Sequence, residues 1–411
     1  VPELHSWKEI AEYLDVSVRT AQLWEKDRGL PVRRLPGGRG RVLALTNEIE
    51  DWKRSAAAPP EPEPQPKNAP ALAPPAPGRP RIRWALAAAG LSLVAVAAAA
   101  VVLNRTPDLA EIQADGETLV ARDRNGRIAW RRTYPGLNQH HYNNRSEARL
   151  TWVADLDGDG EKEAILGVQT HAPHPSVFGV LCLDGRGQER WRFTPGRSVM
   201  LEGRRLEPPF VPVDLRLSPP DATGRRSVVV SSEHHMYSPT QVAVLDANGR
   251  LQGEYWHRGH LAWLALREDP DRWWIYAAGL SNGDARATAI LLDPARLRKE
   301  PEVVTDLPST TAVGRLLLGK TCLNQAKSLY NKVLRIVVEP NGVTLSTDEF
   351  PSRRMVAAPT VTWRVDPQLR PLWVAAEDGY VGWVRDYADQ VPGKCRGEDI
   401  PKLIDQAVLI R

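Results

Sequence analysis

A run of 20 uncharged residues at 84–103 divides this 411-residue chain and limits what each side of it can fold into. The run holds nine Ala, four Leu, four Val and single Trp, Gly and Ser residues. At 1.5 Å rise per residue it makes a helix of about 30 Å, the thickness of a hydrocarbon core. A helix packed in a water-soluble core normally keeps a polar face, and this one has none. A single transmembrane helix over 84–103 is therefore expected. Arg79, Arg81 and Arg83 precede it, whereas Arg105 is soon followed by Asp108, Glu111, Asp115 and Glu117. That bias places residues 1–83 on the cytoplasmic side of an inner membrane and 104–411 on the extracytoplasmic side.

Residues 56–83 read as a linker. Between Pro59 and Pro80 lie ten prolines in 22 residues. Proline fixes φ and removes a donor, so this stretch is expected to be a polyproline-like tether reaching roughly 70 Å.

Residues 1–55 have the pattern of a small helical domain. Ser6 and Glu9 form a capping box ahead of the apolar face Ile10, Ala11 and Leu14. After a short turn, Ser17 caps a second helix, which Gly29 and Pro31 stop. Two strands around 32–35 and 41–45 flank a glycine-rich tip, and Asn47 opens a last helix carrying Ile49 and Trp52. The segment Val16-Ser17-Val18-Arg19-Thr20-Ala21-Gln22-Leu23-Trp24-Glu25-Lys26, followed by Gly29 and Leu30, resembles the DNA-binding head of MerR-type and excisionase-type winged helix-turn-helix proteins. The resemblance covers residues 4–54. It implies that the second helix enters the major groove of double-stranded DNA, with Ser17, Arg19, Thr20 and Gln22 at its start. Gln22 suits a base edge and Arg19 a phosphate or a base. Arg33, Arg34, Arg39 and Arg41 then lie on the wing, suited to phosphate contact. MerR regulators continue into a long dimerising helix, whereas this chain enters the proline tether, so a homodimer does not follow from the resemblance. Ten basic and nine acidic residues in 1–54 leave the net charge uninformative.

Residues 104–411 carry 40 basic and 39 acidic residues, so no polyanion is expected there as a partner. They carry a repeat instead. Asp123, Gly126 and Trp130 share the pattern Asp-x-x-Gly-x-x-x-Trp with Asp184, Gly187 and Trp191, and Asp246 with Gly249 begins a third copy. The spacings are 184 − 123 = 61 and 246 − 184 = 62 residues. Each copy sits in a hairpin pattern, and a second hairpin precedes it, as at 151–155 with 164–168. Two hairpins per repeat make a four-stranded propeller blade, and about six blades are expected. The hairpin at 117–133 lacks a partner, and residues 407–411 are the expected completion of its blade. Most of the 14 Trp fall here, suited to packing between blades.

One loop has the chemistry of a cation site. Asp155, Asp157, Asp159, Glu161 and Glu163 alternate around Gly158 and Gly160, a pattern that turns carboxylate oxygens toward one point. The loop resembles the calcium loop of integrin-α-like FG-GAP repeats. The resemblance implies one calcium ion, with Glu163 as the last carboxylate and Glu161 contributing its backbone carbonyl. Eight of the nine His form four pairs in this region: 140/141, 171/174, 234/235 and 257/260. The pattern Gly314-x4-Gly319-Lys320-Thr321 fits a phosphate loop in letters only, since its variable positions are bulky. Cys322 and Cys395 sit in loop contexts and Cys182 in a strand. Neither a nucleophile elbow nor a His-Glu-x-x-His motif occurs, so an enzyme is not expected.

The expected fold class is multidomain: a small mainly-α winged helix-turn-helix, one transmembrane helix, and an all-β propeller. In plan it resembles ToxR-like and CadC-like membrane-anchored regulators. That implies transcriptional control by an extracytoplasmic ligand or protein. The alternative is a binding or adhesion propeller whose cytoplasmic head docks a protein.

Overall fold

The structure, a computed structural model, describes residues 3–34, 42–57, 106–137, 142, 149–168, 179–201, 203–208, 210–234, 239–299, 304–305, 312–321, 330–349, 359–386 and 397–411. It divides into two units, Val1–Gly90 and Leu91–Arg411. The linker beyond residue 57 and the apolar run 84–103 lie outside the described residues. Among the described residues, no helix is long and apolar enough to cross a membrane.

In the first unit, side chains start and stop the helices. Ser6 Oγ accepts the Glu9 N–H at 3.2 Å, and the Glu9 carboxylate accepts the His5 N–H at 2.8 Å. These bonds cap α1 (Trp7–Tyr13). Asp15, in the left-handed region at φ 52°, turns the chain. Ser17 Oγ then accepts the Thr20 N–H at 3.1 Å and caps α2 (Val18–Arg28), which ends on Gly29 at φ 63°. Strands Glu3–Leu4, Val42–Leu45 and Arg33–Arg34 form an antiparallel sheet in that order, and α3 (Thr46–Ala57) follows. Ile10, Ala11, Ala21, Leu30, Val42, Ala44 and Ile49 are buried between these elements. The hairpin tip at 35–41 lies outside the described residues.

The second unit is a series of antiparallel meanders. The first sheet has three strands, Leu109–Asp115, Thr118–Asp123 and Ile128–Thr133. The second has four, Thr151–Ala154, Glu163–Val168, Gly179–Leu183 and Glu189–Phe193. The third runs Val211–Leu217, Val228–Glu233, Thr240–Leu245 and Leu251–His257. The fourth runs Gly259–Asp269, Arg272–Ser281, Arg286–Leu292 and Ala312–Leu317, with Val408–Ile410 as a fifth strand. The fifth sheet holds Lys332–Glu339, Gly342–Asp348, Thr360–Val365 and Pro371–Ala376.

Middle strands of these sheets are covered on both faces, because successive side chains point to opposite neighbours. Leu181 packs toward Leu109 and Leu119 of the first sheet, while Val180 and Cys182 pack toward Val228 and Val230 of the third. Val229 and Val242 meet Ile275 and Ile290, and Tyr276 and Leu291 meet Leu345 and Trp363. The leading strands of the second to fifth sheets pack side by side in order. This stacking of sheets face to face around converging first strands is propeller-like.

The repeat acquires a physical meaning here. Asp123, Asp184 and Asp246 each accept the backbone N–H groups two and four residues on, at 2.8–2.9 Å. Gly126, Gly187 and Gly249 follow at φ 74–78°, where a side chain is disfavoured. The Trp of one copy then lies on the Gly of the next: Trp130 against Gly187, and Trp191 against Gly249. The repeat thus builds the contact between sheets as well as the turn within each.

Against the expectation of about six blades, the described residues hold five blade-sized sheets. One expectation changes. Residues 408–410 do not complete the first sheet. They pair with Arg315, Leu316 and Leu317, delivered there by a 3-10 segment, Gly397–Gln406, whose Ile400 and Leu403 are buried with Tyr380 and Trp383. A helix, α4 (Asp378–Asp386), follows Pro371–Ala376. Gly314 lies in a strand, so the phosphate-loop letters are indeed coincidental.

Candidate functional site

At the start of α2, the N-cap Ser17 and Thr20 are occupied by capping, with their hydroxyls 2.7 Å apart. Arg19 and Gln22 are exposed, three residues apart and hence on one helix face. Leu23 beside them is 54% exposed, unusual for a leucine in so small a domain. Arg33 is exposed and pairs with the Glu48 carboxylate of α3. Arg34 lies on the edge strand with Arg33, and Arg39 and Arg41 lie outside the described residues.

The acidic loop is a closed turn. Asp155 accepts the Gly158 and Gly160 N–H groups at 2.7 and 2.9 Å, and Asp159 accepts that of Glu161 at 2.8 Å. Carboxylate oxygens of Asp155, Asp157 and Asp159 lie within 4.8 Å of one another. Glu163 and Glu161 stand outside this group. Glu163 is buried, accepts the Leu156 N–H at 2.9 Å, and meets Arg190 at 2.6 Å. Burial pushes its pKa up to about 7 against the pull of Leu156 and Arg190. Arg190 also reaches Asp157 at 2.6 Å, so one guanidinium bridges the loop to the following strand. The Glu161 side chain is exposed.

The histidines that can be placed do not form one site. His234 lies against the Phe210 ring at 5.1 Å. His257 is buried, bonded to the Leu280 carbonyl at 3.2 Å, and burial lowers its pKa to about 4. His260 pairs with the buried Glu233. His140, His141, His171, His174 and His235 lie outside the described residues, as do Cys322 and Cys395. Cys182 is a buried thiol.

A feature without a sequence motif lies where the leading strands converge. A cavity of about 760 Å³ is lined by Arg149, Arg216, Arg335, Trp152, Trp263 and Glu377 among others. Asp214 organises part of its wall: its buried carboxylate accepts the N–H groups of Arg149, Leu215 and Leu264 at 2.7–2.9 Å and pairs with Arg216. Burial raises the Asp214 pKa to about 6, against Arg216 and these bonds. The Arg149 guanidinium lies over the Trp152 ring at 4.3 Å, and Trp152 Nε1 donates to the Leu215 carbonyl at 2.9 Å. Glu377 accepts the hydroxyls of Ser346 and Thr360 at 2.9 Å and that of Thr362. These donors outweigh its desolvation and hold its pKa below the usual range.

No family model and no curated protein matches the chain. Among solved structures, the C-terminal domain of Pseudomonas aeruginosa PilY1 is similar over 63% of this chain and 67% of its own, at 13% identity and a TM-score of 0.39. The Dos1 propeller is similar over 66% and 59%, at 13% identity and 0.39. BBS1N, solved in complex with ARL6DN, is similar over 59% and 71%, at 11% identity and 0.34. At such scores the propeller-like description rests on the sheets themselves.

Proposed function

We propose that the chain is a membrane-anchored DNA-binding transcriptional regulator, with residues 1–55 a cytoplasmic winged helix-turn-helix, 84–103 the span, and 104–411 a sensing propeller. The observation that carries this reading is the face of α2: Arg19 and Gln22 stand exposed together on a capped helix packed against α1. A helix so presented fits a major groove, with Gln22 suited to a base edge and Arg19 to a phosphate or base. Ligand or partner binding outside would act by changing the pairing, and thus the effective concentration, of heads inside. A second reading, a propeller for binding or adhesion with a protein-docking head, draws on the exposed Leu23, which suits a protein surface better than DNA.

The test is selection from a random duplex pool with the full chain in detergent. A recovered motif, whose preference shifts in Gln22→Ala, supports the DNA reading. Absence of enrichment at low salt refutes it.

We also propose one calcium ion at Asp155, Asp157 and Asp159. The donor set fits: three hard oxygen ligands converge, and Arg190 offsets only part of their charge. A bound ion would brace the turn between two strands of the second sheet.

A further inference from the structure

The second unit is nearly neutral, yet its converging strands gather three guanidiniums around one cavity. Arg149, Arg216 and Arg335 come from three different sheets or their leading loops, so no local motif accounts for their meeting. Two carboxylates oppose them, Glu377 on the wall and Asp214 buried behind it, which leaves 3 − 2 = +1 formal charge. The carboxylates are already engaged. Asp214 is saturated by Arg216 and three backbone donors, and Glu377 by three hydroxyls. Arg335 is exposed and makes no hydrogen bond or ion pair among the described residues, although Glu377 feels its charge. Arg149 is steered by Trp152. The open fork of Arg335 matches the paired oxygens of a carboxylate or phosphate. Trp152 and Trp263 add apolar ring surface to the same wall, and Ser346 and Thr360 add hydroxyls. A volume of about 760 Å³ is of small-molecule size.

We propose that this cavity binds a sugar acid or sugar phosphate, its anionic group held by Arg335 and Arg149 and its ring against Trp263. This names a ligand class for the sensing propeller and rests on that reading only for its consequence, since binding here does not require the head to bind DNA.

The test is calorimetric titration of the full chain in detergent with galacturonate, glucose 6-phosphate and, as the neutral control, glucose. At least one acid binds with 1:1 stoichiometry and glucose does not. The two acids distinguish a carboxylate ligand from a phosphate ligand. The double variant Arg149→Gln/Arg335→Gln loses about tenfold or more in affinity, as expected for removing charge-assisted bonds. Arg205→Gln, on an exposed hairpin and paired with Glu207, binds as the wild type does. An unchanged melting temperature shows that the double variant is folded; should it fail to fold, the affinity of Arg335→Gln alone decides. The proposal is overturned if neither acid binds below about 10 mM, if glucose binds equally, or if binding survives the removal of these arginines. Duplex selection on the same preparation separates this outcome from that of the DNA reading, since either can fail while the other stands.

Discussion

Replacing Gly187 with alanine probes the contact that links successive repeat copies. Gly187 sits at φ 78°, and a Cβ there would lie 2.7 Å from Trp130 Cγ and 3.0 Å from its Cβ and Cδ1. Gly126 has nearly the same backbone, φ 74°, but nothing within 4 Å of the added atom. Left-handed backbone costs a non-glycine residue about 1–2 kcal/mol, so Gly126→Ala measures that strain alone. Gly187→Ala adds overpacking against a buried ring, about 1–3 kcal/mol more, for a total of about 2–5 kcal/mol. The ring cannot simply swing away, because Trp130 is part of the core between the first and second sheets. The assay is urea unfolding of the full chain, following tryptophan fluorescence. Trp130→Leu in the Gly187→Ala background should recover part of the loss, a coupling of about 1 kcal/mol. Equal losses for the two glycine variants, together with zero coupling to Trp130, would refute the argument that the repeat glycine exists to seat the neighbouring tryptophan.

Other outcomes follow from the same geometry. His257 is buried with a pKa near 4, below its unfolded value of 6.5. The unfolded chain binds the extra proton between these values, so the stability this group contributes is complete above pH 6.5 and is lost as pH falls toward 4. The melting temperature of His257→Gln should therefore fall less steeply over that window, by the equivalent of up to about 3 kcal/mol. Asp214 and Glu163, with raised values, act in the opposite sense, which is why the comparison is between variant and wild type. Calcium should raise the melting temperature of the wild type relative to chelator, and Asp157→Ala should remove most of that response. In Asp246→Ala, which loses a turn cap but no loop carboxylate, the calcium response should persist. Neutralising Arg39 and Arg41 should weaken binding to all duplexes alike and reduce its salt dependence, read by gel shift across salt concentrations.

The helix caps and hairpin turns were legible because each is a bond between residues at most four apart. Ser6, Ser17 and Gly29 bound the helices as their residue types require, and Asp123, Asp184 and Asp246 each tie their own turn. A further copy of that turn at Asp366 was hidden, since Leu369 at φ 65° takes the glycine's place. The acidic loop was legible as a cluster of carboxylates, but the reading also counted Glu163 as a ligand, because it could not foresee the capture of Glu163 and Asp157 by Arg190, a residue 27 positions on from Glu163. Sequence spacing alone determined the local turns, the repeat and the three chemically distinct regions. Only the tertiary structure decided which sheet receives Val408–Ile410, which tryptophan covers which glycine, and that Arg149, Arg216 and Arg335 share a cavity. Those outcomes depend on burial between sheets far apart in the chain, and hydrophobic periodicity records that a face is buried without recording what buries it.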